Sequence, residues 1–246
     1  FKGVRVDVER AHQMKKEFVK QEKELLHKIK METNIDTQIW AARSIANVFE
    51  ILRLEYPSTD KTGAPSFTKN FLQEHQHPVV KMIAQAREIN KAHTTFLDSI
   101  LKYEHNGRIH AEINQLRNAG GGTVTGRFSY QNPNLQQIPA RNKDLGPKIR
   151  SLFIPEEGHT WGCFDYSQQE PRLVVHYALA TLGTTGVQSI ADKYDLAGQH
   201  PDDLDIQNEA DFHTMVAKIA DIERGQAKTI NLGLFYGMGR AKLQGQ

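Results

Sequence analysis

Apolar and polar side chains alternate over residues 3–7 (GVRVD), the period of a short strand. From Val8 to about Met31 the period lengthens: Val8, Ala11, Met14, Phe18, Leu25 and Ile29 fall at helical spacing along a heavily charged stretch. Residues 36–53 predict a second amphipathic helix with Asp36 or Asn34 as its cap, and the polar stretch 56–65 reads as a loop. Helices are expected again over 67–75 and 78–104. At Asn106-Gly107 the period returns to alternation, so 108–115 (RIHAEINQ) reads as a strand that opens a sheet. The loop 117–139 is rich in Gly, Asn, Gln and Pro, and 160–166 (TWGCFDY) reads as a buried strand that delivers Asp165 to its end. Helices are then expected at 168–181, 186–194, 210–220 and 222–237, with an exposed acidic loop (PDDLD) at 201–205 and no internal repeat. The pattern is that of an α+β protein, mostly helical.

Composition narrows the class without choosing a partner. With 246 residues, 39% hydrophobic and 24% charged, the chain can bury one large or two small cores. A net charge of +2 excludes a global cationic field, so any nucleic-acid contact must come from local clusters of Lys and Arg. The single cysteine, Cys163, excludes an internal disulfide framework and a Cys-rich zinc site, which fits a reducing compartment. No apolar run approaches the ~20 residues that span a bilayer, and the first residues lack the apolar core of a signal peptide. The expectation is an intracellular protein with no membrane partner. A start at Phe1 and a stop at Gln246, straight after a helix and a GMG turn, read as a piece of something longer.

Four constellations carry chemistry. In ERGQAKTINLGLFYGMG, Arg224, Lys228, Leu232 and Tyr236 recur every four residues and form a slowly rotating stripe on one helix face. Its cationic half suits a triphosphate and its aromatic half a base pair; the alternative is a solvated helix with Leu and Tyr in the core. In CFDYSQQEPR, Asp165 stands where an apolar segment meets a helix, a rigid place to present a metal ligand, with Glu170 just over a turn later. Its alternative is an ordinary helix cap. In DFHT, Asp211 caps a helix and His213 in the first turn could touch a phosphate; the alternative is one more surface histidine among eleven. TGRFSYQNPNLQQIPARN offers Arg, Asn and Gln donors to phosphates and minor-groove acceptors, or else is a loop that satisfies its own backbone. The run Gly120-Gly121-Gly122 before it is no phosphate loop, because GK[ST] does not follow.

Taken in order, TGR…NPNLQQIP, DYSQ.E, DxH and RxxxKxxxxxxxYG resemble the family A DNA polymerases, those like bacterial DNA polymerase I and many phage replicative enzymes, over roughly Gly3 to Gly239. The resemblance implies an incomplete right-hand fold: residues 1–8 a strand leading into the palm, 9–104 the thumb, 105–180 part of the palm and 181–246 part of the fingers. It implies that Asp165, with the backbone carbonyl of Tyr166, holds two Mg2+ ions (Mn2+ as an alternative), and that Arg224 and Lys228 act in catalysis. His213, Arg224, Lys228, Leu232, Tyr236, Glu170 and Gln168 would bind the incoming dNTP, Glu170 excluding a 2′-hydroxyl by its bulk. Arg87, Lys91, Arg127, Asn134, Gln136, Arg141, Tyr236 and Gly237 would contact primer-template DNA. The expected location is the cytoplasm, associated with the nucleoid, or the host cytoplasm for a phage protein.

Departures from the family pattern are informative. Leu232 stands where familiar members have Phe or Tyr, which implies a changed preference for dideoxynucleotides; Pro171 replaces the usual Leu after Glu170. The third family motif, His-Asp-Glu, would lie beyond Gln246, so a C-terminal polymerase portion is the expected partner supplying the remaining carboxylates. A single carboxylate leaves Mg2+ under-coordinated, and the chain alone is expected not to polymerise. The rival readings are a single-subunit RNA polymerase and a non-catalytic DNA-binding half of a split polymerase. Glu170 and the TGR…NPNLQQIP segment speak against the first.

Overall fold

The computed structural model describes residues 2–117, 120–140, 142–182 and 185–243, and their contacts divide between two units, Phe1–Trp161 and Gly162–Gln246. In the first, strand β1 (Val4–Val6) feeds the 26-residue helix α1 (Val8–Thr33), whose N-terminus is capped by the Asp7 carboxylate accepting from Arg10 N–H at 3.0 Å. Gly3 is required at the start: its φ is +67°, and a Cβ there would lie 2.7 Å from the His110 ring. The helical stripe read from the sequence is the buried one, with Ala11, Met14, Phe18 and Ile29 inside.

Both residues expected to cap the second helix instead finish α1. Asn34 takes the left-handed conformation and donates its N–H to Lys30 O, while Asp36 receives the Lys30 ammonium at 2.8 Å. Helix α2 (Ala42–Ile51) therefore starts later than expected, from Ala41 and without a side-chain cap. With α3 (Lys69–Glu74) and α4 (Pro78–Lys91) it closes over Ile29, forming a core around Ile45, Phe49, Leu72, Val80 and Ile83. The Phe49 ring lies 5.0 Å from Phe67 and 5.9 Å from Phe71, so rings dominate one end of this core.

The single helix expected over 78–104 is three pieces: α4, a π-helical stretch Ala92–Leu97, and α5 (Asp98–Tyr103). At the join His93 is buried and its Nε2 meets the Glu22 carboxylate of α1 at 2.5 Å, with Asn90 donating to the same carboxylate at 2.9 Å. A wider turn thus coincides with the point where polar side chains must face inward.

Strands β2 (Glu104–His105) and β3 (Arg108–Ile109) follow, then β4 (Glu112–Asn114), β5 (Ser129–Gln131), α6 (Leu145–Arg150) and β6 (Phe153–Ile154). The expected strand over 108–115 is split, because β3 pairs with β1 and β2 whereas β4 pairs only with β5. The result is an antiparallel sheet in the order β2-β3-β1-β6 and a separate ribbon β4-β5. Arg108 braces the sheet by a two-pronged hydrogen bond to Glu156, both prongs 2.9 Å.

The second unit is helical: α7 (Gln169–Leu182), α8 (Thr185–Gln199), α9 (Leu204–Glu209), α10 (Phe212–Ala220), α11 (Arg224–Phe235) and α12 (Arg240–Leu243). Val175, Tyr194, Ala197 and Ala210 form its core. Pro171 sits in the first turn of α7, where its missing N–H is harmless. Where an acidic loop was expected, Asp203 caps α9, accepting from the N–H groups of Asp205 and Ile206. The expected buried strand over 160–166 is absent: the segment has no regular secondary structure and pairs with no strand among the described residues, and Phe164 is 98% exposed. An apolar strand without a ladder partner has nothing to bury it. Among the described residues no helix is long and apolar enough to cross a membrane.

Candidate nucleotide-binding site

The turn between α10 and α11 gathers a polar cluster in the second unit. Asp211 caps α10, its Oδ1 accepting from Thr214 N–H at 2.7 Å. The same carboxylate receives Arg224 of α11, Nε to Oδ1 at 3.2 Å and Nη2 to Oδ2 at 2.6 Å. Burial pushes the Asp211 carboxyl up, but the hydrogen bonds from Arg224 and Thr214 with the guanidinium charge prevail and hold it below its ordinary range. The α11 N-terminus is closed by a reciprocal box between Glu223 and Gln226.

His213 turns inward. It is 4% exposed, and its Nδ1 lies 3.1 Å from the Asn231 side-chain nitrogen, so the ring and Asn231 join α10 to α11 beneath the surface. Burial lowers the imidazole pKa; Arg224 and Lys228 add to the lowering and Asp211 opposes it. The surface histidine considered from the sequence is therefore a buried one, and the reading in which this ring touches a phosphate would need its outer edge uncovered.

Of the four-residue stripe, Arg224, Lys228 and Leu232 lie on α11 and Tyr236 is its C-terminal cap. Lys228 is exposed and makes no ion pair among the described residues, Leu232 is half-buried, and Tyr236 is exposed at the helix end, followed by Gly237 at φ +78°. The Tyr236 hydroxyl donates a short hydrogen bond to the Glu170 carboxylate in the first turn of α7. Gln168, expected to face the nucleotide, spends its amide on backbone: its Oε1 accepts from Phe212 N–H at 2.7 Å and its Nε2 approaches Ala210 O at 3.5 Å. Its own backbone is left-handed, φ +54°, a conformation an L-residue adopts at some cost.

Asp165 and Tyr166 lie on the exposed, unpaired segment. Asp165 is the lone carboxylate there, and among the described residues no group of three or more His, Cys, Asp or Glu could hold a metal ion. Near-octahedral Mg2+ needs more oxygen ligands than one carboxylate and one carbonyl, so the residues present do not fit the ion by themselves.

The DNA-contact candidates in the first unit meet different fates. Arg87 donates Nε to Ile39 O at 2.6 Å and Nη1 to Phe67 O at 2.8 Å, and lies 5.2 Å over the Trp40 ring. It splices the α1–α2 linker to the segment before α3, and burial lowers its pKa. Lys91 is exposed at the end of α4. Asn134 caps the short 3-10 turn Leu135–Gln137, and Gln136 donates to Phe128 O at 3.0 Å, so both amides serve their own loop. Arg127 is exposed, and Arg141 lies outside the described residues.

Three residues of the cluster were not singled out from sequence. Asn231 stands with Ala227 on the buried face of α11, a polar side chain where the period demands an apolar one, which is the signal that would have found it. Arg172 donates to Ser167 O at 3.0 Å and covers the Tyr194 ring at 4.4 Å. Tyr194 is buried, its hydroxyl has no hydrogen-bond partner among the described residues, and burial pushes its pKa up to about 12. No spacing rule points to that pair.

Comparison with known proteins gives the family and the fold. The family model for DNA polymerase family A matches residues 8–246, and the chain belongs to that family. A DNA-directed DNA polymerase of Pseudomonas phage M6 is 35% identical over 252 residues, covering 98% of this chain and 37% of that protein. The thermostable DNA polymerase I of Thermus thermophilus is 33% identical over 201 residues, covering 76% of this chain and 21% of that protein. Among solved structures, the POL domain of Pol1 from M. smegmatis, in complex with DNA primer-template and dNTP, superposes with a TM-score of 0.70 at 25% identity, covering 98% of this chain and 41% of that one. The chain thus spans well under half the length of these relatives.

Proposed function

We propose that this chain is the part of a DNA-directed DNA polymerase that receives the incoming deoxynucleoside triphosphate and holds primer-template DNA, acting in phage DNA replication. The observation that carries the reading is the meeting, within one unit, of three sequence-distant motifs: Arg224 on Asp211, His213 under α11, and Tyr236 on Glu170. Arg224 and Lys228, one turn apart, supply the cationic grip for the phosphates, a guanidinium offering a planar fork and an ammonium a point charge. Tyr236 and Gly237 offer a flat exposed surface to a base pair, Leu232 lies beside the sugar position, and Glu170 blocks a 2′-hydroxyl.

Residues 9–104 serve as thumb, 105–180 as part of the palm and 181–246 as part of the fingers, with Lys91 and Arg127 toward DNA and Asn134 and Gln136 holding the shape of their own loop. Asp165 and the Tyr166 carbonyl are this chain's contribution to a two-metal centre. Further carboxylates are required for that chemistry, so this chain alone does not extend a primer, and its partner is the portion that brings them.

The test is direct. Titration of the chain with dTTP is expected to show saturable binding that weakens at least about tenfold in Arg224→Ala/Lys228→Ala, the scale of losing two charge-assisted contacts. Absence of binding, or binding indifferent to both substitutions, sinks the reading. Primer extension by residues 1–246 alone would refute the claim of dependence on other carboxylates.

A further inference from the structure

The Arg224 guanidinium meets Asp211 side-on, through Nε and Nη2, rather than by its end. A guanidinium carries five N–H groups in a rigid plane. The side-on pair uses two of them and, among the described residues, leaves both Nη1 hydrogens and the second Nη2 hydrogen unspent. The geometry is also asymmetric in exposure: the Asp211 side chain is 12% exposed and that of Arg224 54%, so the carboxylate anchors from below while the cation faces solvent. Asp211 is itself immobilised as the cap of α10, and Gln168 holds the next residue, Phe212, by its N–H.

We infer that Asp211 is a positioning residue for the phosphate-binding face: it does not touch the nucleotide, but aims the free edge of Arg224 so that it and Lys228 meet one polyphosphate. This rests on the reading of α11 as the triphosphate-binding helix. An unanchored arginine would have to lose its rotamer freedom on binding; one already clamped has lost it on folding. The carboxylate also repels an incoming anion, so the two effects oppose each other. Aim prevails because the carboxylate is buried behind the cation it neutralises only in part.

The experiment uses the full chain in metal-free buffer and measures calorimetric Kd values for dTTP, pyrophosphate and thymidine. Asp211→Asn and Asp211→Ser keep a good helix cap but lose the charge pair. Both are expected to leave the melting profile cooperative and to raise Kd for dTTP and pyrophosphate about tenfold, the scale of one misplaced charge-assisted contact. In an Arg224→Ala background the same substitutions should change Kd by less than about twofold, because the aimed group is gone. Unchanged or tighter dTTP binding in both variants overturns the inference, as does an equal loss in the Arg224→Ala background. If the unsubstituted chain binds neither dTTP nor pyrophosphate, the nucleotide-binding reading itself has failed, and the inference with it. Thymidine, lacking phosphates, should be indifferent to Asp211.

Discussion

Tyr236, at the end of α11, donates its hydroxyl to the carboxylate of Glu170 in the first turn of α7. The bond spans 66 residues of sequence and fixes the orientation of the side chain proposed to exclude ribose. Tyr236→Phe removes only the hydroxyl. We expect the preference for dTTP over its ribonucleotide counterpart to fall about threefold, within the range of one hydrogen bond. Competitive binding of the two nucleotides gives the ratio, and an unchanged ratio would separate this bond from sugar selection.

Leu232 is half-buried on the same helix, at the position where the family resemblance leads one to expect an aromatic side chain. Leu232→Phe and Leu232→Tyr are expected to shift the relative use of dideoxy and normal nucleotides by the complete enzyme. Indistinguishable incorporation kinetics for all three side chains would dispose of the idea.

His213 gives the second unit a pH dependence. Burial places its folded-state pKa below the ordinary 6.5, so the unfolded chain takes up the proton more readily. Stability is then full above about 6.5 and drains as pH falls through that value toward the lowered one. Melting temperature followed from about pH 7.5 to about pH 5 should drop in the natural chain and flatten in His213→Gln. Parallel curves would mean that other groups carry the dependence.

Arg87 is expected to matter for folding whatever it does toward DNA. Lysine keeps the charge but cannot reach Ile39 O and Phe67 O together or lie flat on Trp40, so Arg87→Lys should cost about 2 kcal/mol. Denaturant unfolding measures it, and a loss below about 0.5 kcal/mol would make those bonds incidental.

Local periodicity made the long helices of the first unit legible, because α1 and α4 each keep one apolar stripe that the fold buries. The failures share a cause: the deciding partner is distant in sequence. Asn34 and Asp36 look like the start of a helix, yet they finish the preceding one, because Lys30 is at hand to be bonded. The π-helical stretch after Lys91 coincides with the meeting of His93 and Glu22, some 70 residues away, and no spacing rule carries that information. In the site, the α11 stripe and the cap at Asp211 could be read locally. The inward turn of His213 and the engagement of Gln168 with Phe212 could not, since both are set by a neighbouring helix.

The unpaired segment that carries Asp165 has one further consequence. Trp161, Phe164 and Tyr166 are 55%, 98% and 81% exposed, on a segment with no regular secondary structure to shield its backbone from a protease. Brief digestion with a chymotrypsin-like enzyme should make its first cuts there, next to the boundary between the units at Trp161 and Gly162.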